Sequence, residues 1–477
     1  MAHSLSFAWL RVALALIGPM SGWGAASLLA QSPSGAASLP PHHALALEVF
    51  RELIETDTTL KTGSTKAVMA IAARLKAAGF TDAELTIDGP RPQNQNLIVR
   101  LRGKGLQRPV LFIGHLDVVE AFRADWTMDP FTLIEKDGYF YGRGTTDMKN
   151  ADTALIVSLI RMKQAGYMPR GDIIVALTDH EEGGEANGMA WLVKNRRELI
   201  DAEYCINPDG GGGKMKLGKP MLMQIQTAEK AYLTFQLEVT NKGGHGSVPV
   251  KDNAIYRLAA GLNRLAAYDF PIQLNETTRT FFARSALQET GQTKADMLAV
   301  AQTPSDLAAA ERLAAQSASY NAMLRTTCVA TMLSGGHAAN ALPQMARAVL
   351  NGRVLPGDSP EAMTETLKTV LADDQIKITR LETTVVSPIS PLRPDLFAKV
   401  EQLTTAMWPG VPVTPIMSTG ATDGKYLRSV GIPVYGVSGT FINSGDMRAH
   451  GRDERLGVQE FYRSVDFMHE LIKMLTQ

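Results

Sequence analysis

Three short runs of this chain, residues 96–101, 109–113 and 172–178, are mainly apolar and bounded by turn residues. Runs of that length and composition read as buried strands. Helical spacing surrounds them. Ala44, Leu47, Phe50, Leu53 and Ile54, then Val68, Ile71 and Leu75, precede the first run. A helix over 148–164 separates the second from the third, and another over 186–197 follows. Strands alternating with helices require a mostly parallel sheet, the arrangement that gathers ligands at its strand ends.

With 477 residues the chain exceeds what one hydrophobic core organises. In the middle the pattern changes: strand 232–240, helix 254–267, strands 326–334 and 346–354, helix 359–371 and strand 376–384. That βαββαβ order is ferredoxin-like. A polar, Ala-rich and helical excursion at 271–325 interrupts it, and alternation resumes after Pro388-Ile389-Ser390-Pro391. The fold class expected is α/β: a mostly parallel-sheet domain in two parts, 43–227 and 386–477, with an inserted ferredoxin-like α+β domain at 228–385.

Arg11 precedes an apolar stretch from Val12 to Ile17, and small residues follow through Ala30. Residues 1–30 read as a removable secretory signal and 31–42, rich in Ser, Pro and Ala, as a linker. Export to a periplasm or the exterior follows; a membrane-tethering N-terminus is the other reading. The uninterrupted apolar run is well short of the ~20 residues a spanning helix needs. Lys+Arg and Asp+Glu both count 48, and no basic stripe occurs, which excludes nucleic acid as the main partner. Cys205 and Cys328 fall in different domains and read as free thiols.

Five segments carry candidate chemistry: Gly114-His115-Leu116-Asp117, Gly144-Thr145-Thr146-Asp147, Asp179-His180-Glu181-Glu182, Pro208-Asp209-Gly210 and His450-Gly451-Arg452-Asp453-Glu454. Imidazole nitrogen and carboxylate oxygen together suit Zn²⁺. His115 and Asp117 have the i, i+2 spacing that points both side chains one way, so Asp117 can accept from one ring nitrogen while the other binds metal. Asp147 follows a glycine turn and could equally cap the helix after it. Adjacent Glu181 and Glu182 are costly to hold together near a buried strand end unless cations neutralise them. Asp209 lies between Pro208 and four glycines. That run is not a phosphate loop, because Lys214 is followed by Met215.

In these segments, and over nearly all of the chain from Leu45 onward, the sequence resembles the di-zinc metallopeptidase family. That family includes glutamate carboxypeptidase, aminoacylase, carboxypeptidase S, acetylornithine deacetylase and succinyl-diaminopimelate desuccinylase. The resemblance implies two zinc ions per subunit, with cobalt or manganese as substitutes, and a bridging Asp147. It implies His115 and Asp209 at one ion, Glu182 and His450 at the other, Glu181 as general base and Asp117 behind His115. A cis peptide after Asp147 is expected on the same ground. In the inserted domain, Gly243-Gly244-His245-Gly246-Ser247 is similar to a lid segment whose histidine enters the partner's site in dimeric relatives. Asn340 and Arg353 are similar to lid residues that hold a substrate carboxylate, a task for which the Arg fork is suited. Gly420, in Gly420-Ala421-Thr422-Asp423-Gly424, matches a loop near the substrate. The excursion at 271–325 resembles the longer carboxypeptidase S-like branch and is expected to alter the dimer surface.

The function these implications support is hydrolysis of an amide next to a free carboxylate, by a carboxypeptidase or N-acyl-amino-acid hydrolase acting as a homodimer through the lid. A dipeptidase of the same family is the alternative. A binding protein that has lost catalysis is a third reading, against which every ligand position is filled.

Overall fold

The computed structural model describes residues 39–382 and 384–477. The signal segment and most of the linker lie outside the described residues. The first helix, Pro41–Ile54, begins inside the span assigned to the linker. Its proline occupies the first turn, where a missing N–H costs nothing.

The central sheet has six strands in the order Leu85–Arg91, Asn94–Leu101, Ile173–Thr178, Val110–His115, Tyr204–Ile206 and Val434–Tyr435. Only Asn94–Leu101 runs against the rest, because a tight hairpin joins it to Leu85–Arg91; the other neighbours pair in parallel. Val110–His115 and Ile173–Thr178 are buried at every residue. The period of two divides their side chains between two layers. Val110, Phe112, Ile173 and Val175 join one core with Phe50, Leu155 and Phe461. Leu111, Ile113, Ile174 and Ala176 join another with Met189, Leu192 and Leu427.

A second sheet was not foreseen from sequence: Val413–Ser418, Lys219–Glu229, Gly212–Lys216 and Phe441–Asn443. The glycine run after Asp209 leads into one of its strands.

The middle of the chain forms an antiparallel sheet in the order Thr327–Gly335, Met345–Val354, Ala231–Thr240 and Lys377–Arg380. With helices Ala254–Ala266 and Pro360–Leu371 this is the ferredoxin-like arrangement, and it has its own core of Leu233, Phe235, Leu258, Leu350 and Leu367. The last strand is shorter than the expected 376–384. Thr327–Gly335 is a sheet edge, and its Val329, Met332 and Leu333 are exposed.

Residues 271–325 form the helices Glu276–Ser285, Gly291–Ala301, Leu307–Gln316 and Ala318–Leu324. Phe281, Phe282, Met297 and Leu313 pack with Ala228 and Met417, so the excursion docks on the second sheet. Lys230, fully buried, ties it to the ferredoxin-like unit by donating to the carbonyls of Ala322 (2.9 Å) and Arg325 (2.8 Å). Among the described residues no helix is long and apolar enough to cross a membrane.

Candidate metal centre

His115 is the last residue of a strand buried on both faces, so backbone pairing fixes where its ring begins. Ring Nδ1 lies 3.1 Å from the main-chain oxygen of Asp117 and 3.6 Å from its carboxylate. The carboxylate expected behind the ring is close by, and the carbonyl of the same residue is closer still. A carbonyl can only accept, so Nδ1 carries the proton and leaves the neutral ring's lone pair on Nε2. That nitrogen is buried without a hydrogen-bond partner and faces Asp147 Oδ1 at 3.2 Å.

Asp117 serves another purpose. Its carboxylate accepts the backbone N–H groups of Glu181 (3.1 Å) and Glu182 (3.0 Å), fixing the paired acids at the end of Ile173–Thr178. Burial pushes its carboxyl up to about 7. His180, just before the pair, has a φ of 61°, a left-handed conformation rarely adopted by non-glycine residues. His450 shares it, with a φ of 63°. Such strain persists where surrounding contacts over-determine the backbone, commonly at functional positions.

Asp147 follows the 142–146 turn and precedes the helix Lys149–Gln164; the peptide to Met148 is cis, as expected. Glu454 holds this turn. Its carboxylate accepts from Gly144 N (3.0 Å), Thr146 N (2.7 Å), Thr146 Oγ1 (2.8 Å), Asp147 N (3.2 Å) and Arg143 Nη1 (2.7 Å). Gly144, at φ 88°, also sits where a Cβ would meet Val118 and Lys149 within about 3 Å.

The two oxygens of Asp147 face different histidines: Oδ1 faces His115, and Oδ2 lies 3.1 Å from His450 Nε2, which in turn is 2.9 Å from the Glu182 carboxylate. His115, Asp147 and Glu182 can bring ligand atoms within 4.8 Å of one another. Glu181 and Asp209 line the same cleft, of about 330 Å³, with Asp147, Glu182 and His450. Burial, then the charges of neighbouring acids, pushes Asp209 up to about 7 and Glu181 well above the ordinary carboxylate range. An unpartnered imidazole nitrogen aimed at a carboxylate, inside a crowd of four acids, fits divalent cations held by N and O donors.

The lid residues stand apart from this cleft. His245 is exposed on the short strand Gly244–His245, paired with Ala341–Leu342, and its Nδ1 meets Ser247 Oγ at 2.7 Å. Gly246 N donates to Asn340 O at 2.7 Å, so His245 and Asn340 share one hairpin. Arg353 packs over the Tyr232 ring, 4.6 Å from its centroid, with Nε donating to Asn351. None of the three lines the cleft. Gly420 does not line it; its N–H donates to Ser418 Oγ at 3.1 Å, and its neighbours Ser418, Ala421 and Thr422 form part of the wall.

Several residues went unassigned in the sequence. Glu454 stood in a motif without a role. Asp423 accepts from Thr178 Oγ1 (3.0 Å) and Asn187 Nδ2 (2.7 Å), joining a strand end to a helix cap. Asp179 gathers Ser64 N and Oγ and Asn94 Nδ2 at 2.8–3.1 Å. Lys214 lines the cleft. The partners of Glu454, Asp423 and Asp179 lie far away in sequence, and local spacing carries no signal of them.

A family model described as "Peptidase family M20/M25/M40" matches residues 111–474. The human N-fatty-acyl-amino acid synthase/hydrolase PM20D1 is 29% identical over 377 residues, 77% of this chain and 74% of that protein. A Dictyostelium discoideum protein named "Probable carboxypeptidase S-like 2" is 28% identical over 386 residues, 78% of this chain and 73% of its own. The crystal structure of the M20 family metallo-carboxypeptidase Sso-CP2 from Sulfolobus solfataricus superposes with a TM-score of 0.67 at 17% identity, covering 90% of this chain and 98% of that one.

Proposed function

The chain belongs to peptidase family M20/M25/M40 and is a hydrolytic enzyme; on that premise we propose that it cleaves an amide bond beside a free carboxylate. The substrate class is an N-acyl amino acid or a peptide cut at its C-terminal end. The observation that carries the reading is the division of the Asp147 carboxylate between His115 on one side and His450 with Glu182 on the other. Two zinc ions would be held here, His115 and Asp209 serving one, Glu182 and His450 the other, and Asp147 both.

Bound zinc would supply Lewis acidity, polarising the substrate carbonyl and lowering the pKa of water. Glu181 acts as general base: it takes the proton of the attacking water and returns it to the leaving nitrogen. Asp117 keeps Glu181 and Glu182 in register through their backbone N–H groups.

His245, Asn340 and Arg353 complete the site from the ferredoxin-like domain, His245 donating to the developing oxyanion and the other two holding the substrate carboxylate. Their distance from the cleft calls for domain closure or a second subunit. The unpaired edge Thr327–Gly335, with Val329, Met332 and Leu333 exposed, supports a homodimer joined through this domain. Residues 1–30 direct export.

The test is a mass-spectrometric hydrolysis screen of zinc-loaded protein against dipeptides and N-acyl amino acids, with free and amidated C-termini. The free-carboxylate set should be cleaved and the amidated set spared. Glu181→Ala should retain its metal and lose nearly all turnover; normal turnover in that variant would sink the base assignment.

A further inference from the structure

The glycines Gly210–Gly213 do more than turn the chain after Asp209. A Cβ on Gly210 would come within 2.2 Å of Gln226 Oε1, and one on Gly211 within 2.2 Å of the Gly436 carbonyl. On Gly212 it would meet Ser438 Oγ at 2.7 Å, and on Gly213 the Phe441 ring at 2.2 Å. All four side chains are excluded so that the backbone can thread between these neighbours. The first side chain to emerge is Lys214.

Lys214 opposes Leu222 and Gly212 opposes Gln224 in the antiparallel register, so Lys214 and Gln224 stand on one sheet face as diagonal neighbours. Both line the cleft of Asp147 and Glu181. Lys214 also faces an adjoining cavity of about 130 Å³ beside Thr146, Asn150 and Thr440. Lys216 and Lys219, on the same hairpin, are exposed to water. Lys214 is half-buried, and burial alone holds its amine below the ordinary lysine range. Among the described residues no carboxylate pairs with it. A cation partly withdrawn from water without a partner is costly, and an arriving anion would offset that cost.

We propose that Lys214 and Gln224 form an anion subsite in the cleft wall, one that takes a substrate carboxylate additional to the one beside the scissile amide. The inference rests on the amide-hydrolase reading and narrows it to substrates bearing two carboxylates. The subsite is separate from Arg353, which belongs to the ferredoxin-like domain. A single ammonium beside an amide donor matches a carboxylate rather than a phosphate dianion, which calls for several donors. The second carboxylate has two sources, an acidic side chain on the amino-acid part or a dicarboxylic acyl group.

Matched pairs separate these sources: N-acetyl-L-glutamate against N-acetyl-L-glutamine, and N-glutaryl-L-alanine against N-pentanoyl-L-alanine. With zinc-loaded full-length protein, the anionic member of at least one pair should show about tenfold higher kcat/KM, the size of one charge-assisted contact. The pair that shows the gap identifies the source. Lys214→Met should raise KM for the anionic member and make that pair equivalent, while Lys214→Arg keeps the gap. Lys214→Gln gives the same reading should Lys214→Met fail to fold. No gap in the wild-type enzyme, or a gap that survives Lys214→Met, overturns the subsite. If no amide is cleaved at all, the hydrolase reading fails, and titration calorimetry decides the subsite alone. Tighter binding of the anionic member of either pair, lost in Lys214→Met, sustains it; equal binding within both pairs overturns it.

Discussion

Glu454 Oε2 accepts a 2.7 Å hydrogen bond from Arg143 Nη1, and both side chains are sealed from solvent. The pair meets the candidate ligands only at their backbone: the same carboxylate accepts from Asp147 N, and Arg143 Nη2 donates to the His450 carbonyl at 3.4 Å. Removing one partner of a buried pair strands the other. Glu454→Ala should therefore destabilise the metal-free protein by ~3–5 kcal/mol in denaturant unfolding. It should also lower metal occupancy, measured by elemental analysis, below that of Arg452→Ala, an exchange outside this network.

Asp117 makes a subtler test, since it anchors two N–H groups and leaves the ring of His115 to a carbonyl. Asp117→Asn keeps one acceptor oxygen and loses the other. Turnover should fall by ~10–100-fold while His115 still binds metal. Unchanged turnover would show that the backbone of Glu181 and Glu182 needs no such anchor.

Chelation should weaken the fold. Without cations, Asp147, Glu181, Glu182 and Asp209 share one cleft with only the histidines and Lys214 to offset their charge. Zinc at a thousand times its dissociation constant adds ~4 kcal/mol, so the melting temperature should drop on dialysis against EDTA and recover with zinc. Ligand carboxyls and imidazoles must lose their protons to bind, so the difference should shrink as pH falls.

His469, on the helix Val458–Thr476, gives a pH signature away from the centre. Burial, reinforced by Arg161, lowers its ring to about 4 in the folded state. The unfolded ring titrates near 6.5, so between these values the unfolded chain binds a proton that the folded one refuses. The contribution is present above about 6.5 and is lost as pH falls towards 4. His469→Gln should flatten that part of the curve in thermal unfolding between pH 7 and 4. A slope identical to wild type would show that the ring stays neutral in both states.

The dimer reading depends on one edge. Leu333→Glu places a charge among Val329 and Met332 on the strand Thr327–Gly335 and should give monomers in sedimentation equilibrium with the fold intact. A wild-type protein that is already monomeric would remove the partner-supplied role of His245.

The core of the fold was legible because its strands are short apolar runs that cannot be anything else once helices flank them. Five ligand-type segments, two of them directly after such runs, announced a site in the sequence itself. One strand of the second sheet was hidden because it opens on Gly212 and Gly213, which carry no strand propensity; Ser438 and Phe441 press on them there. Lys214 was hidden with it. The i, i+2 spacing of His115 and Asp117 correctly put them together but could not say which oxygen of Asp117 meets the ring. The docking of residues 271–325 on the second sheet was equally unreadable, since helices built from alanine and leucine fit many surfaces.

The centre draws on positions very far apart in the chain: 268 residues separate Glu182 from His450, and 311 separate Arg143 from Glu454. The whole ferredoxin-like domain is spelled out between them. Closing so long a loop is among the slowest events a chain performs. On the proposed assignment the ion held by Glu182 and His450 therefore waits until the two ends of the chain have met, whereas the ligands of the other ion lie within one continuous stretch.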